Sequence, residues 1–248
     1  MRVGVYVDAF NVYYGARGQC GRGSAGWRWL DLLSLSSSLA EARFGPRAAI
    51  VGLAYCTALR EKEGDPSSVR DQLVYLNALQ LDGRVRVEFG QYNVKTGKGV
   101  LLAPSSARRR RYQRVISPGV AEIPAWLPAE ETIGPEGDTN LFVHYSSFEE
   151  KGSDVNVATR LLTDVLERRV DAAIVVSNDG DLSLPLRVVR QHVPVGLVNP
   201  TARPLSQMLK GLPADGVGGH WWVKLGPDDY RAHQFAESVG GFDKPVGW

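Results

Sequence analysis

The sequence of 248 residues contains only two cysteines, Cys20 and Cys56, two methionines and four histidines. Two cysteines cannot staple a chain of this size, so no disulfide framework carries the fold. The pair reads as reduced thiols in a reducing compartment, with the cytoplasm as the default. His144, His192, His220 and His233 show no zinc-ligand spacing and have no cysteine pair to join, which argues against a zinc site. Long apolar runs are missing too. The opening MRVGVYVDAFN carries an apolar run of about five residues that ends in an acid, short of a signal-peptide core and far short of the ~20 residues that cross a bilayer. No membrane partner is expected. Neither sign of charge dominates: 29 basic against 27 acidic residues leave a net charge of +2, which by itself names no polyanionic partner.

What is present is an ordinary globular composition, 44% hydrophobic, 23% charged and 9% aromatic, which excludes disorder and fibrous repeats. A chain this long hides roughly 70–75% of its unfolded surface, enough for one sizeable core. Apolar runs at Val3 to Val7, Ala48 to Tyr55, Val85 to Phe89, Ala172 to Val176 and Val193 to Val198 read as strands, and most of the gaps between them have helical period. One such helix opens at Pro66-Ser67-Ser68. Another carries an apolar stripe of Ala158, Leu161, Leu162 and Val165. Near-continuous apolar strands alternating with helices predict an α/β fold: a mainly parallel sheet of about five strands with helices on both faces.

Residues from about 90 to 140 break this rhythm. They are rich in Gly, Pro, Ser and Arg, with a hairpin turn expected at Lys95-Thr96-Gly97-Lys98, and are read as an insertion in a main domain of residues 1–212. Residues 213–248 read as a C-terminal extension in which His220 to Leu225 is a candidate edge strand ahead of an exposed tail. Arg84 to Arg114 holds nine basic residues against the single acid Glu88, four of them consecutive: Arg108, Arg109, Arg110 and Arg111. With Tyr112 and Arg114 this run has the basic and aromatic interleaving that tracks a phosphate backbone. A solvated loop accounts for it equally well. Tyr13 and Tyr14 suit either stacking on a base or packing of helix on sheet. Gly21 to Gly26 fits G-x-G-x-x-G literally but begins 13 residues after Asp8, away from any strand-to-helix turn, and reads as a loop.

The acids are placed more tellingly. The first strand ends in Asp8, followed by Asn11; the fourth ends in Ser177-Asn178-Asp179-Gly180-Asp181. In an open parallel sheet the ligand crevice lies outside the carboxyl ends of the strands, where the strand order reverses. With order 3-2-1-4-5, Asp8, Asp179 and Asp181 converge there. Asp154 opens the helix before the fourth strand, behind Lys151. Asp154, Asp179 and Asp181 are each as readily a cap or turn residue, whereas Asp8, ending a buried apolar strand, needs a partner. Two carboxylates ~4 Å apart repel by about 4 kcal/mol at an effective dielectric near 20, so several together take up protons or bind a cation. Asp and Asn oxygens suit Mg²⁺ or Mn²⁺.

The segments VYVDAFNVYYG, EEKGSDVNVATRLL and DAAIVVSNDGDLSLPL resemble the three signature blocks of the NYN family (LabA-like, DUF88), a branch of the PIN-like nucleases. The resemblance spans residues 1 to about 210. It implies a Rossmann-like sheet of order 3-2-1-4-5 and metal-dependent cleavage of RNA. It also implies that Asp8, Asp154, Asp179 and Asp181 ligate the metal, with Asn11 accompanying Asp8, and that Ser177 and Lys151 serve the substrate. The expectation is therefore an endoribonuclease using Mg²⁺ or Mn²⁺, with catalytic residues Asp8, Asn11, Asp154, Asp179 and Asp181. Lys151, Ser177, Tyr13 and Arg108 to Arg111 would contact nucleic acid, RNA ahead of DNA, and a homodimer stays open. The rival is a binding module for RNA on the same fold, without strong catalysis. A phosphatase or phosphoacceptor is disfavoured, because Asp8-Ala9-Phe10 lacks a second Asp and Phe89-Gly90-Gln91 has no acid.

Overall fold

The sequence begins its fold in the middle of a sheet. In a computed structural model of the chain, which describes residues 1–59, 67–104, 112–114, 116–117, 126–127, 129–133 and 139–248, β1 (Arg2–Asp8) is hydrogen-bonded on both sides. Its neighbours are β2 (Ala49–Thr57), followed outward by β3 (Val85–Phe89), and β10 (Ala172–Val176), followed by β11 (Val195–Asn199) and β12 (Trp221–Lys224). All these pairings are parallel, and the order β12-β11-β10-β1-β2-β3 gives six strands where about five were expected. The sixth is the candidate edge strand, appended beyond β11.

Alternation along the strands divides the core into two layers. Val3, Val5 and Val7 of β1 and Ile174 of β10 point to one side, where they pack with α1 (Ala9–Cys20), α2 (Leu32–Phe44) and α3 (Ser67–Gln80). Tyr6, Ala54, Ala173 and Val175 point to the other, against α4 (Ser153–Leu166), α5 (Ser183–Val189) and α6 (Gln207–Lys210). The α4 stripe is as read: Leu161 and Val165 are buried, with Ala158 and Leu162 packed at its margin. Full burial of each such aliphatic side chain contributes roughly 1.5–3 kcal/mol, so the two layers supply most of the drive to fold.

The segment 213–248, expected to end in an exposed tail, is instead part of this core and belongs to the same compact unit as residues 1–92. Tyr230 of α7 (Pro227–Ala232) is fully buried and donates its hydroxyl to the Pro200 carbonyl at 2.6 Å. The Trp29 indole donates to the Ala236 carbonyl at 2.7 Å, and Trp248 lies 5.8 Å from the Tyr75 ring. The stretch is Gly-rich and short in regular structure, so local periodicity hides its role. Tyr230 is buried in the first layer, and Trp221, Phe235, Phe242 and Trp248 pack against that layer. A two-stranded β13 (Ser238–Val239) and β14 (Phe242–Asp243) completes it.

The second compact unit is Asn93–Glu149, which takes in most of the stretch read as an insertion and runs about nine residues past its expected end. Its described strands form an antiparallel sheet in which β4 (Gln91–Val100), β9 (Thr139–Lys151) and β7 (Ile116–Ser117) are neighbours and β8 (Ala129–Ile133) pairs with β9. β5 (Leu102–Pro104) pairs separately with β6 (Tyr112–Arg114). The hairpin turn expected at Lys95 to Lys98 is not there; β4 runs straight through. Gly97 serves close approach: a Cβ there would stand 2.7 Å from the Tyr145 ring. Arg108 to Arg111 lie outside the described residues. Among the described residues no helix is long and apolar enough to cross a membrane.

Candidate functional site

Asp8 closes β1 and opens α1. Its carboxylate is buried and accepts three hydrogen bonds: from the Asn11 backbone N–H at 3.0 Å, the Asn11 side-chain amide at 2.9 Å and the Ser177 hydroxyl at 3.0 Å. Asn11 in turn accepts from the Asn178 backbone N–H at 3.1 Å, and the Ser177 hydroxyl oxygen accepts from that of Asp179, also at 3.1 Å. Burial pushes the Asp8 carboxyl above its ordinary value; the donors from Asn11 and Ser177 pull against this, and the Asp179 charge adds to the rise. The sheet order thus brings Asp8, Asn11, Ser177 and Asp179 together, as the strand-end reading requires.

What the four do there differs from expectation. Asp8 has its oxygens turned onto donors of its own chain, and the Asp179 carboxylate folds back onto the Asp181 backbone N–H at 3.0 Å. Asp154 sits half-buried in the first turn of α4, where the helix dipole favours its charge, and Asp181 and Lys151 are exposed. Among the described residues no three His, Cys, Asp or Glu side chains are grouped so as to hold a metal ion. The metal-binding set Asp8, Asp154, Asp179 and Asp181 is corrected accordingly: the carboxylates at the strand ends latch β1, α1 and the loop after β10 to one another.

A second feature lies beside this latch, at the carboxyl ends of β1 and β2 on the α1 face. A cavity of about 530 Å³ is walled by Tyr13, Trp27, Tyr55, Tyr75 and Trp248, with Arg17, Arg22 and Arg28 at its margin. This is the size and make-up of a small-molecule site. Tyr13 lines this cavity and stands edge-on to Tyr14 at 5.3 Å and 5.5 Å from Trp27. The Tyr55 and Tyr75 hydroxyls are held neutral, pushed up first by burial, and the Asp8 charge adds to the rise at Tyr55. Tyr75 donates to the Leu30 carbonyl at 2.9 Å.

Sequence reading missed Trp27, Arg28, Tyr75 and Trp248. A signal was available in Trp27-Arg28-Trp29, aromatic and basic side chains directly after the Gly21 to Gly26 loop. Its partner at the other end of the chain was not: the Gly26 N–H donates to the Trp248 carbonyl at 3.0 Å, a contact across more than 200 positions that no local pattern announces.

No protein-family model matches the chain. The chain is 30% identical over 219 residues, 82% of its length, to 6-hydroxy-3-succinoylpyridine 3-monooxygenase HspA of Pseudomonas putida, and spans about 60% of that relative's length. Among solved structures, a protein of unknown function from Vibrio parahaemolyticus superposes with a TM-score of 0.44 at 18% identity, covering 92% of this chain and 94% of the other. The HspA match corrects the nuclease expectation. A relative over four-fifths of the chain is named for oxygen insertion and not for phosphodiester hydrolysis, and the metal grouping that hydrolysis by Mg²⁺ or Mn²⁺ requires is missing from the described residues.

Proposed function

We propose that the chain belongs to an oxidoreductase of the monooxygenase class and that its cavity at the ends of β1 and β2 holds a flat hydroxylated aromatic ring of the hydroxypyridine type. The observation that carries this reading is the 30% identity over 219 residues with a 6-hydroxy-3-succinoylpyridine 3-monooxygenase. The cavity supports it. Rings pack against aromatic side chains in offset or edge-to-face geometry, each such pair contributing about 0.5–1.5 kcal/mol beyond area burial, and seven aromatic residues line this cavity. The neutral Tyr55 hydroxyl and the Gln72 amide, which donates to the Ala58 carbonyl at 3.0 Å, place polar groups at the same cavity for a ring substituent. The three blocks that resemble the NYN family then describe a scaffold shared with different chemistry, since one fold hosts many functions.

Oxygen insertion draws its electrons through a redox cofactor, and that chemistry is the cofactor's own. A dinucleotide in the usual strand–turn–helix seat does not fit the residues present. That seat needs glycines and free backbone N–H groups at the start of the first helix. Here β1 passes into α1 without a glycine, and the Asp8 carboxylate already caps the helix through the Asn11 N–H, placing negative charge where a pyrophosphate would bind. The Gly21 to Gly26 stretch lies at the far end of α1. The chain's own part is to bind the ring, orient it and exclude water from it.

The test uses the purified chain. Trp27 and Trp248 face the cavity, so 6-hydroxypyridine-3-carboxylate should quench tryptophan fluorescence saturably, and dioxygen consumption with a reduced nicotinamide and added flavin should depend on that ligand. Oxygen uptake unchanged by the ligand across flavin and nicotinamide combinations would overturn the redox reading.

A further inference from the structure

Among the described residues four tyrosines are buried, Tyr6, Tyr55, Tyr75 and Tyr230, and three of them spend their hydroxyls inside the protein. Tyr6 donates to the Asp164 carboxylate at 3.2 Å, Tyr75 to the Leu30 carbonyl at 2.9 Å and Tyr230 to the Pro200 carbonyl at 2.6 Å. Tyr55, 8% exposed, has no hydrogen-bond partner among the described residues. Its hydroxyl is not one of the polar atoms sealed into the core without a partner, so the surface it keeps opens onto the cavity that Tyr55 lines.

The Tyr55 ring is firmly held. It lies opposite Val7 of β1, near the carboxyl end of β2, and meets the Tyr75 ring edge-on at 6.1 Å. Tyr75 is anchored through Leu30 and packs on Trp29 at 6.0 Å and Trp248 at 5.8 Å. Gln72, on the same cavity, already directs its amide N–H groups to the Ala58 carbonyl at 3.0 Å and the Thr57 hydroxyl at 3.4 Å. Buried tyrosine hydroxyls normally find a partner, because desolvation without one costs free energy. A fixed, unpaired hydroxyl in a cavity wall marks where a ligand supplies it. Burial and the Asp8 charge keep this hydroxyl protonated, so it has a hydrogen to donate. A ring edge bearing only hydrogen would cover it and leave it unpaired. A carboxylate would approach the Asp8 charge that already reaches Tyr55. An uncharged oxygen on the ring, hydroxyl or keto, meets both conditions.

We infer that Tyr55 sets the specificity of this cavity by hydrogen-bonding an uncharged oxygen on the ligand's ring, so that the ring enters with that oxygen toward β2 and any carboxylate directed away from it. The inference rests on reading this cavity as the ligand site, but not on the redox chemistry. The experiment is calorimetric titration of the chain with 6-hydroxypyridine-3-carboxylate and with pyridine-3-carboxylate, which keeps the ring and the acid and lacks the ring oxygen. The hydroxylated compound should bind about tenfold tighter, as sites built to pair a polar group discriminate against analogues that cannot pair it. Tyr55→Phe should reduce that preference to about twofold or less by weakening the hydroxylated compound alone. Without ligand, Tyr55→Phe should melt at or above the parent temperature, because the hydroxyl it removes has no partner in the protein. Equal affinity of the two compounds for the unaltered chain would overturn the assignment without calling on any variant. So would a Tyr55→Phe protein that keeps the full preference, or one that melts several degrees lower and so reveals a partner within the fold. Failure of both compounds to bind the unaltered chain would instead remove the cavity reading on which the assignment stands.

Discussion

Burial makes the charged form of Asp8 costly, while Asn11 and Ser177 together supply three donors that the charged form needs. The two effects separate on substitution. Asp8→Ala removes a helix cap and orphans the Asn11 amide and the Ser177 hydroxyl, a loss of roughly 2–4 kcal/mol in urea denaturation. Asp8→Asn keeps a capping oxygen and should cost about 1 kcal/mol or less at neutral pH. Because the folded-state value of Asp8 lies above the ordinary one, the folded protein binds more protons in that interval, and stability falls as pH rises through it. Acidification from neutrality toward the ordinary carboxylate range should therefore stabilise the native chain relative to Asp8→Asn. Parallel urea midpoints for the two proteins across that range would remove Asp8 as the source. Asp8, Asn11 and Ser177 are legible as a group because strand ends and sheet order place them. Whether an acid there meets a cation or an amide is not legible, since both satisfy the same burial requirement.

Element packing turns on how closely backbones approach. In α1, a Cβ on Gly15 would stand 2.3 Å from the Pro200 carbonyl oxygen, a backbone atom that cannot step aside, whereas Gly18 of the same helix has nothing within 4 Å. Gly15→Ala gains about 1 kcal/mol of helix propensity and loses about 1–3 kcal/mol or more to overpacking, so it should lower the melting temperature. Gly18→Ala has only the gain and should raise stability by about 0.5–1 kcal/mol. Thermal melts of the two variants check the contrast; equal effects would mean that α1 does not abut Pro200. At this scale β1, β10 and β11 are legible because burial on both faces writes near-continuous apolar runs, while β3, at the edge, shows itself by alternation of apolar with charged residues. β12 is harder to read: only four residues long and alternately exposed, it is held by Trp221 lying over Gly196, where a Cβ would meet the indole at 2.1 Å. The turn expected at Lys95 to Lys98 fails for a related reason, since a glycine beneath a Tyr ring looks in sequence like a glycine in a turn.

At the scale of the whole chain, the two breaks in rhythm have opposite meanings. The Gly-rich end beyond residue 212 is woven into the first core layer: Leu225 and Tyr230 are buried and Trp248 packs against that layer, while its local composition reads as tail. The Arg-rich stretch falls largely within a compact unit, Asn93–Glu149, with its own antiparallel sheet. Chain leaves and re-enters the larger unit at adjoining points: a Cβ on Gly90 would lie 2.5 Å from the Lys151 carbonyl oxygen. A loop bridging ends already in contact costs little closure entropy, and that cost grows only logarithmically with length. Replacing Asn93–Glu149 by a short Gly-Ser linker should therefore leave one cooperative thermal transition within a few degrees of the parent. Removing residues 221–248, a shorter deletion, should abolish the transition by uncovering Trp29 and Tyr75. Differential scanning calorimetry of both deletions decides between them. Loss of cooperativity in the linker variant alone would mean that the larger unit needs residues 93–149 to fold, and that the insertion boundary read from composition does not mark an independent core.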